Sequence, residues 1–237
     1  MLWSASNFLG YAVEATDGMV GEVDDLLFDD RAWTVRWAVI DTGTWLPGRE
    51  VLLPPTLLTA DVAGQRFAVD LTRPQVEAAP AAELDEPVSR QMELRLYAHY
   101  RLAPYWAAIA GAAPGGALEG LAHEGDPHLR SVDEVTGYYV HATDGNIGHI
   151  EDFLVDPDAG GWALRYVVVD TRNWWPGRTV LLAPPWLSAI DWNGHAVRVG
   201  MTREAVRSGP DYDPSVTVDR AYEERLHRHY GFPAYWT

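Results

Sequence analysis

The chain has 237 residues, 47% hydrophobic and 22% charged, a balance that supports folded cores and excludes wholesale disorder. With 34 acidic against 18 basic residues the formal net charge is −16. That charge disfavours generic binding to phosphate backbones or anionic lipid and suits a basic protein partner, although acidity also serves solubility. There is no cysteine, which excludes disulfides, thiolate zinc sites and a cysteine nucleophile.

All 18 basic residues are arginine. The opening MLWSASNFLG holds neither the basic region nor the apolar run of a signal segment. From Gly10 the text GYAVEATDGMVGEVDDLLFDD leads into RWAVIDTGTWLPGREVLLPP. From Gly137 nearly the same text returns as GYYVHATDGNIGHIEDFLVD and RYVVVDTRNWWPGRTVLLAPP. Gly10, Asp17, Gly18 and Gly21 recur 127 positions on as Gly137, Asp144, Gly145 and Gly148. Trp33 and Asp41 match Trp162 and Asp170 at an offset of 129, and Asp61, Thr72 and Trp106 match Asp191, Thr202 and Trp236 at 130. The chain is a tandem duplication, with one module over residues 2–106 and another over 131–236. Residues 107–130, rich in Ala, Gly and Pro, read as a linker. Their weakly polar part, residues 107–118, is too short to span a bilayer.

Within a module the signals are β. In the second, predicted strands at 138–140 and 149–155 flank Asp144-Gly145, a hairpin-turn pair. The β-branched run LRYVVVD at 164–170 predicts a buried strand, and residues 180–183 the next. Strands at 189–192 and 196–199 flank the turn pair Asn193-Gly194, and Gly64 stands at the equivalent turn of the first module. Five or six short strands per module suit a small closed barrel. Thr72 and Thr202 then cap short helical stretches, and Ser89 and Asp219 stand at N-cap positions before RQMELRLYAHY and RAYEERLHRHY. On the latter, Tyr222, Leu226 and Tyr230 make one apolar stripe, and Gly231 ends the helix.

The pattern G-x-x-V-x-A-T-D-G-x-x-G-x-[VI]-[ED]-D-[FL]-L followed by V-[VI]-D-T resembles the PRC-barrel family. Gly137, Val140, Asp144, Gly145, Gly148, Ile150, Asp152 and Leu154 carry it in the second module. Gly10, Val13, Asp17, Gly18, Gly21, Val23, Asp25 and Leu27 carry it in the first. The resemblance covers both modules but neither the linker nor the terminal helices. It implies a small β-barrel used for docking or scaffolding, with no shared catalysis. Its best-known settings are the cytoplasmic domain of the photosynthetic reaction-centre H subunit and the end of a ribosome maturation factor that engages a ribosomal protein. The chain looks more like the stand-alone tandem PRC-barrel proteins of bacteria.

Three groups of residues are candidates for function. The loops at 45–49 (WLPGR) and 174–178 (WWPGR) display Trp45, Arg49, Trp174, Trp175 and Arg178, residue types enriched at binding hot spots. Capping of a barrel end is the structural alternative for these tryptophans. His141, His149 and Asp152, beside Glu151, form the densest set of metal-ligand types, although strand alternation sets the two histidines against each other. Glu14, Glu22, Asp24 and Asp25 stand in the matching places of the first module, where they would suit a harder cation. Asp17 and Asp144 read as turn aspartates bonding their own backbone. Asp41 and Asp170 read as ion-pair partners of Arg49 and Arg178. His227 and His229, two apart on a helix, face different sides.

The sequence therefore predicts an all-β protein with minor α: two tandem small PRC-type barrels, each followed by a C-terminal helix. It predicts no catalytic residue, no cofactor and no nucleic-acid partner. The expected function is a cytoplasmic scaffold or adaptor docking a protein partner. The alternatives are an accessory of a photosynthetic or electron-transfer membrane complex, a ribosome-assembly factor, and a metal protein using His141 and His149. Homo-oligomer formation and peripheral association with a membrane complex stay open.

Overall fold

The computed structural model describes residues 1–80, 88, 90–105, 128–158, 161–171 and 178–236. The protein is mostly β with a few short helices. Contacts divide it into two units. The first comprises Phe8–Arg31 with Arg36–Leu129, and the second Arg130–Thr237 with Met1–Asn7 and Ala32–Val35. Residues 1–7 and 32–35 thus group with the second repeat rather than the first. Backbone pairing is the reason: Trp3 and Ser4 of β1 (Trp3–Ser4) pair with Val155 and Leu154, and Thr34 pairs with Ala163.

In the first unit the strands are β2 (Ala12–Ala15), β3 (Gly18–Asp29), β4 (Thr34–Asp41), β5 (Glu50–Leu53), β6 (Leu58–Asp61) and β7 (Arg66–Val69). Two helices follow, α1 (Arg73–Glu77) and α2 (Arg90–His99). On β3 Val23 is buried while its neighbours Glu22 and Asp24 face solvent. On β4 residues 37–40, an apolar run, are all buried. Phe8, Trp37, Leu52, Phe67 and Leu96 fill the core, each stabilising it by about 1.5–3 kcal/mol.

Leu129–Ser131 forms β8, so the expected linker gives way to a strand at its end. Its residues 107–127 lie outside the described residues, as do Ser89 and Trp106. The second unit continues with α3 (Val132–Val135), β9 (Tyr139–Ala142), β10 (Gly145–Asp156), β11 (Ala163–Asp170), β12 (Thr179–Leu182), β13 (Leu187–Asp191), β14 (Ala196–Val199), α4 (Arg203–Arg207) and α5 (Arg220–Tyr230). Its order repeats the first: β5-β4-β3-β2-β7-β6 there and β12-β11-β10-β9-β14-β13 here, with one parallel pair in each, β2·β7 and β9·β14.

These are open paths, not the closed barrels that strand number suggested. The end strands β5 and β6 are joined by a 3₁₀ turn at Pro55–Leu57 preceded by Pro54, and β12 and β13 by one at Pro184–Trp186. Proline offers no N–H to a ladder, so the chain turns away instead of pairing. The residue after α2 takes up one carbonyl of β5: the Tyr100 hydroxyl donates to Leu52 O at 2.9 Å. The closing helix is capped as expected, with Asp219 accepting from Tyr222 N at 2.7 Å and Gly231 left-handed at φ 70°. Among the described residues no helix is long and apolar enough to cross a membrane.

Candidate functional site

The tryptophan loop of the first unit is built from its neighbours outward. At Gly21 strand β3 lies so close to the end of β4 that a Cβ would sit 2.0 Å from Asp41 O. β4 therefore ends at Asp41, and the next residue fixes the loop. The Thr42 hydroxyl is shared between the carbonyls of Leu46 (2.8 Å) and Arg49 (2.6 Å), while Asp41 accepts from Gly43 N at 2.8 Å. Arg49 does not pair with Asp41; it donates to the backbone carbonyl of Ala79. A threonine hydroxyl, not the expected ion pair, holds this loop closed.

Asp17 also differs from expectation. Its carboxylate accepts from Arg73 N at 2.7 Å, and Asp144 does the same for Arg203 N at 2.7 Å. Both amides open a short helix, where backbone donors lack an intrahelical partner. The turn aspartate thus ties the hairpin to the start of α1 instead of to itself. That places the Arg73 guanidinium 4.5 Å from the Trp45 ring centre, a cation–π stack.

Between these parts opens a pocket of about 470 Å³, whose lining includes Met19, Glu22, Asp41, Thr44, Trp45 and Arg73. Its size falls in the ~300–1,000 Å³ range of ligand sites. Trp45 is half-buried, Met19 is half exposed, and Glu22 and Asp41 bring two carboxylates to the rim. No histidine lines it, so a nucleophile with an imidazole base is not assembled there. The arrangement is suited to binding: apolar side chains at Met19 and Trp45, a stacked guanidinium and two carboxylates.

The family model described as PRC-barrel domain matches residues 3–76. A PRC-barrel domain occupies that span, and every residue of the pocket falls within it. No curated protein matches the chain.

The second copy lies outside that PRC-barrel match and departs from it at the same place. Thr171 again donates to Arg178 O, at 2.8 Å. Arg178 donates to Arg207 O at 2.6 Å and Gly209 O at 3.4 Å and pairs with Asp211, not with Asp170. Asp170 is buried, with His149 Nε2 3.7 Å away. Trp174 and Trp175 lie outside the described residues. His141, His149 and Asp152 are not gathered as ligands. His141 stands opposite Asn146, His149 opposite Tyr139, and Asp152 opposite Val168. The Asp152 carboxylate is taken by Ser4 and Ser6, whose hydroxyls donate to it, with Ser6 Oγ at 2.6 Å. Among the described residues no group of three His, Asp or Glu is placed to hold a metal ion.

Sequence reasoning missed a polar centre that recurs in both units. Fully buried Glu93 accepts from Trp37 Nε1 at 3.1 Å. At the matching place buried Glu223 accepts from the Tyr166 hydroxyl at 3.0 Å and the Tyr235 hydroxyl at 2.7 Å. Arg36 lies 3.7 Å from Asp29 and stacks on Tyr105, as Arg165 lies 3.2 Å from Asp156 and stacks on Tyr235. These contacts fasten helix and tail to the sheet. The signal was in the repeat, which keeps Glu93 and Glu223 in register on helices whose other inward residues are apolar or aromatic. His227 and His229 do point apart: the first is buried against Tyr166, and the second is exposed and reaches Ala205 O.

These tyrosines set an alkaline limit. Burial, with Glu223 beside it, pushes the Tyr235 phenol up to about 12, and burial alone carries Tyr230 up to about 12. Unfolded tyrosine ionises near pH ~10. The folded state therefore keeps protons that the unfolded state sheds, so this stability is whole below about pH 10 and is lost as pH rises through about 12. A late step of tyrosinate absorbance and the loss of far-UV circular dichroism are expected to coincide above pH ~10. Full ionisation with unchanged dichroism would contradict the burial of Tyr230 and the bond from Tyr235 to Glu223.

Proposed function

We propose that the chain is a non-catalytic docking protein, an adaptor whose Trp45 pocket receives a segment of a protein partner. The observation that carries this reading is the pocket itself. Trp45 is held half-exposed by the Thr42 clamp and stacked on Arg73, above a rim that includes Met19, Glu22 and Asp41. Its position inside the PRC-barrel domain supports the same reading, because resemblance to that family implies docking rather than catalysis. The strongly acidic composition suits a basic partner, and a cytoplasmic setting goes with it.

Affinity capture from native lysate, comparing wild type with Trp45→Ala, tests the reading. A tryptophan at the centre of such a contact contributes ~2 kcal/mol or more, so recovery of the bound partner is expected to fall by a factor of ~30. Equal recovery by both proteins would place the binding surface elsewhere.

A further inference from the structure

The two copies share the loop but not the chemistry around it, and the difference names the kind of segment the first copy accepts. Among the described residues neither Glu22 nor Asp41 has an ion-pair partner, and the Asp41 carboxylate accepts from the amide of Gly43. The guanidinium of Arg73 is stacked against the Trp45 ring. Two exposed carboxylates thus stand in the lining, neither in an ion pair among the described residues, together with Met19, which is half exposed. In the second copy the repeat puts Asn146 at the place of Met19, His149 at the place of Glu22, and Arg172 at the place of Gly43. There the remaining carboxylate, Asp170, is buried with His149 beside it. The second copy has lost the apolar rim residue and the acidic edge, and has gained a cation in its loop sequence.

We infer that the first-copy pocket selects an extended peptide segment in which an apolar residue is flanked by arginine or lysine. The apolar side chain would pack on Met19 and Trp45, and the basic neighbours would lie against Glu22 and Asp41. The second copy does not share this preference. Charge complementarity carries the choice: a net −16 chain excludes acidic segments at long range, and the rim carboxylates select basic ones at short range. This inference rests on the docking reading above and adds the chemistry of the partner.

The test uses the full chain, labelled with ¹⁵N, and two short blocked peptides with a central leucine. One peptide has arginines beside the leucine, the other aspartates. The arginine peptide is expected to shift the amide signals of Met19, Gly21 and Gly43, and the aspartate peptide to leave them unchanged. Met19→Asn/Glu22→His gives the first copy the side chains of the second at two exposed positions, so its thermal unfolding should match wild type. It is expected to weaken the arginine peptide about tenfold. Equal binding of both peptides, undiminished binding by the double variant, or no binding of the arginine peptide would each overturn the inference. If any of these occurs while Trp45→Ala still loses its captured partner, docking stands and the charge rule falls. If Trp45→Ala captures normally, docking itself falls.

Discussion

Gly148→Ala is expected to cost the second unit about 3 kcal/mol or more, the largest effect of a single methyl group at the described glycines. A Cβ at this position would lie 1.9 Å from Asp170 O, 2.8 Å from Asp170 C and 3.1 Å from Thr171 Cα. All three atoms belong to backbone, so no rotamer change relieves the clash. The backbone at Gly148 is also at φ +139°, a region that L side chains rarely adopt. Gly21 provides the internal comparison. Its Cβ would meet Asp41 O at 2.0 Å, an equally close approach, without the positive φ. Gly21→Ala should therefore be damaging but milder. Native-state hydrogen exchange resolves the two units separately. Amides of β10 and β11 should lose protection in Gly148→Ala, and by more than those of β3 and β4 in Gly21→Ala. The reverse order would mean that backbone conformation contributes nothing at Gly148.

Removing the carboxylate of Glu223 is the second large effect. Glu223 is 4% exposed and accepts from Tyr166 and Tyr235, with Arg220 Nη1 3.0 Å away. His227 is tied to the same group. Its Nδ1 faces Pro233 O at 2.9 Å and therefore carries a hydrogen, while its Nε2 lies 3.0 Å from the Tyr166 hydroxyl. The Tyr166 hydroxyl, which donates to Glu223, thus also lies against His227. Glu223→Ala removes the carboxylate that accepts from both phenol hydroxyls and opens a cavity beside Tyr166. The expected cost is about 3 kcal/mol. Glu223→Gln keeps one acceptor oxygen and the shape, and should cost about 1 kcal/mol. Exchange of the α5 amides measures both. Equal losses in the two variants would show that volume, not hydrogen bonding, accounts for the residue.

Much of this was legible in the sequence because the duplication supplied its own alignment. Hairpin turns at Asp144-Gly145 and Asn193-Gly194, the helix from Asp219 to Gly231 and the strand run at 164–170 all follow from local chemistry, and the structure has them. What local chemistry could not reveal were partners distant in the chain. Asp17 finds Arg73 N, 56 residues away, and Arg49 finds Ala79 O. Neither choice can be read from spacing. The open sheet path depends on how Pro54 and Pro55 turn the chain, which strand counting ignores. The buried glutamates were hidden by their type: a charged residue on a helix normally marks the solvated side. Trp45 was legible as a displayed residue, but the rim of Met19, Glu22 and Asp41 needed the strand register to come together.

Photo-crosslinking in intact cells tests the docking claim most directly. A photoreactive amino acid replaces Thr44, which is exposed on the pocket lining, or Thr59, which is exposed on β6 away from it. The account predicts a discrete protein adduct from position 44, absent from position 59 and lost when Trp45→Ala is added. An adduct of the same yield from both positions, or one that survives the loss of Trp45, would contradict it.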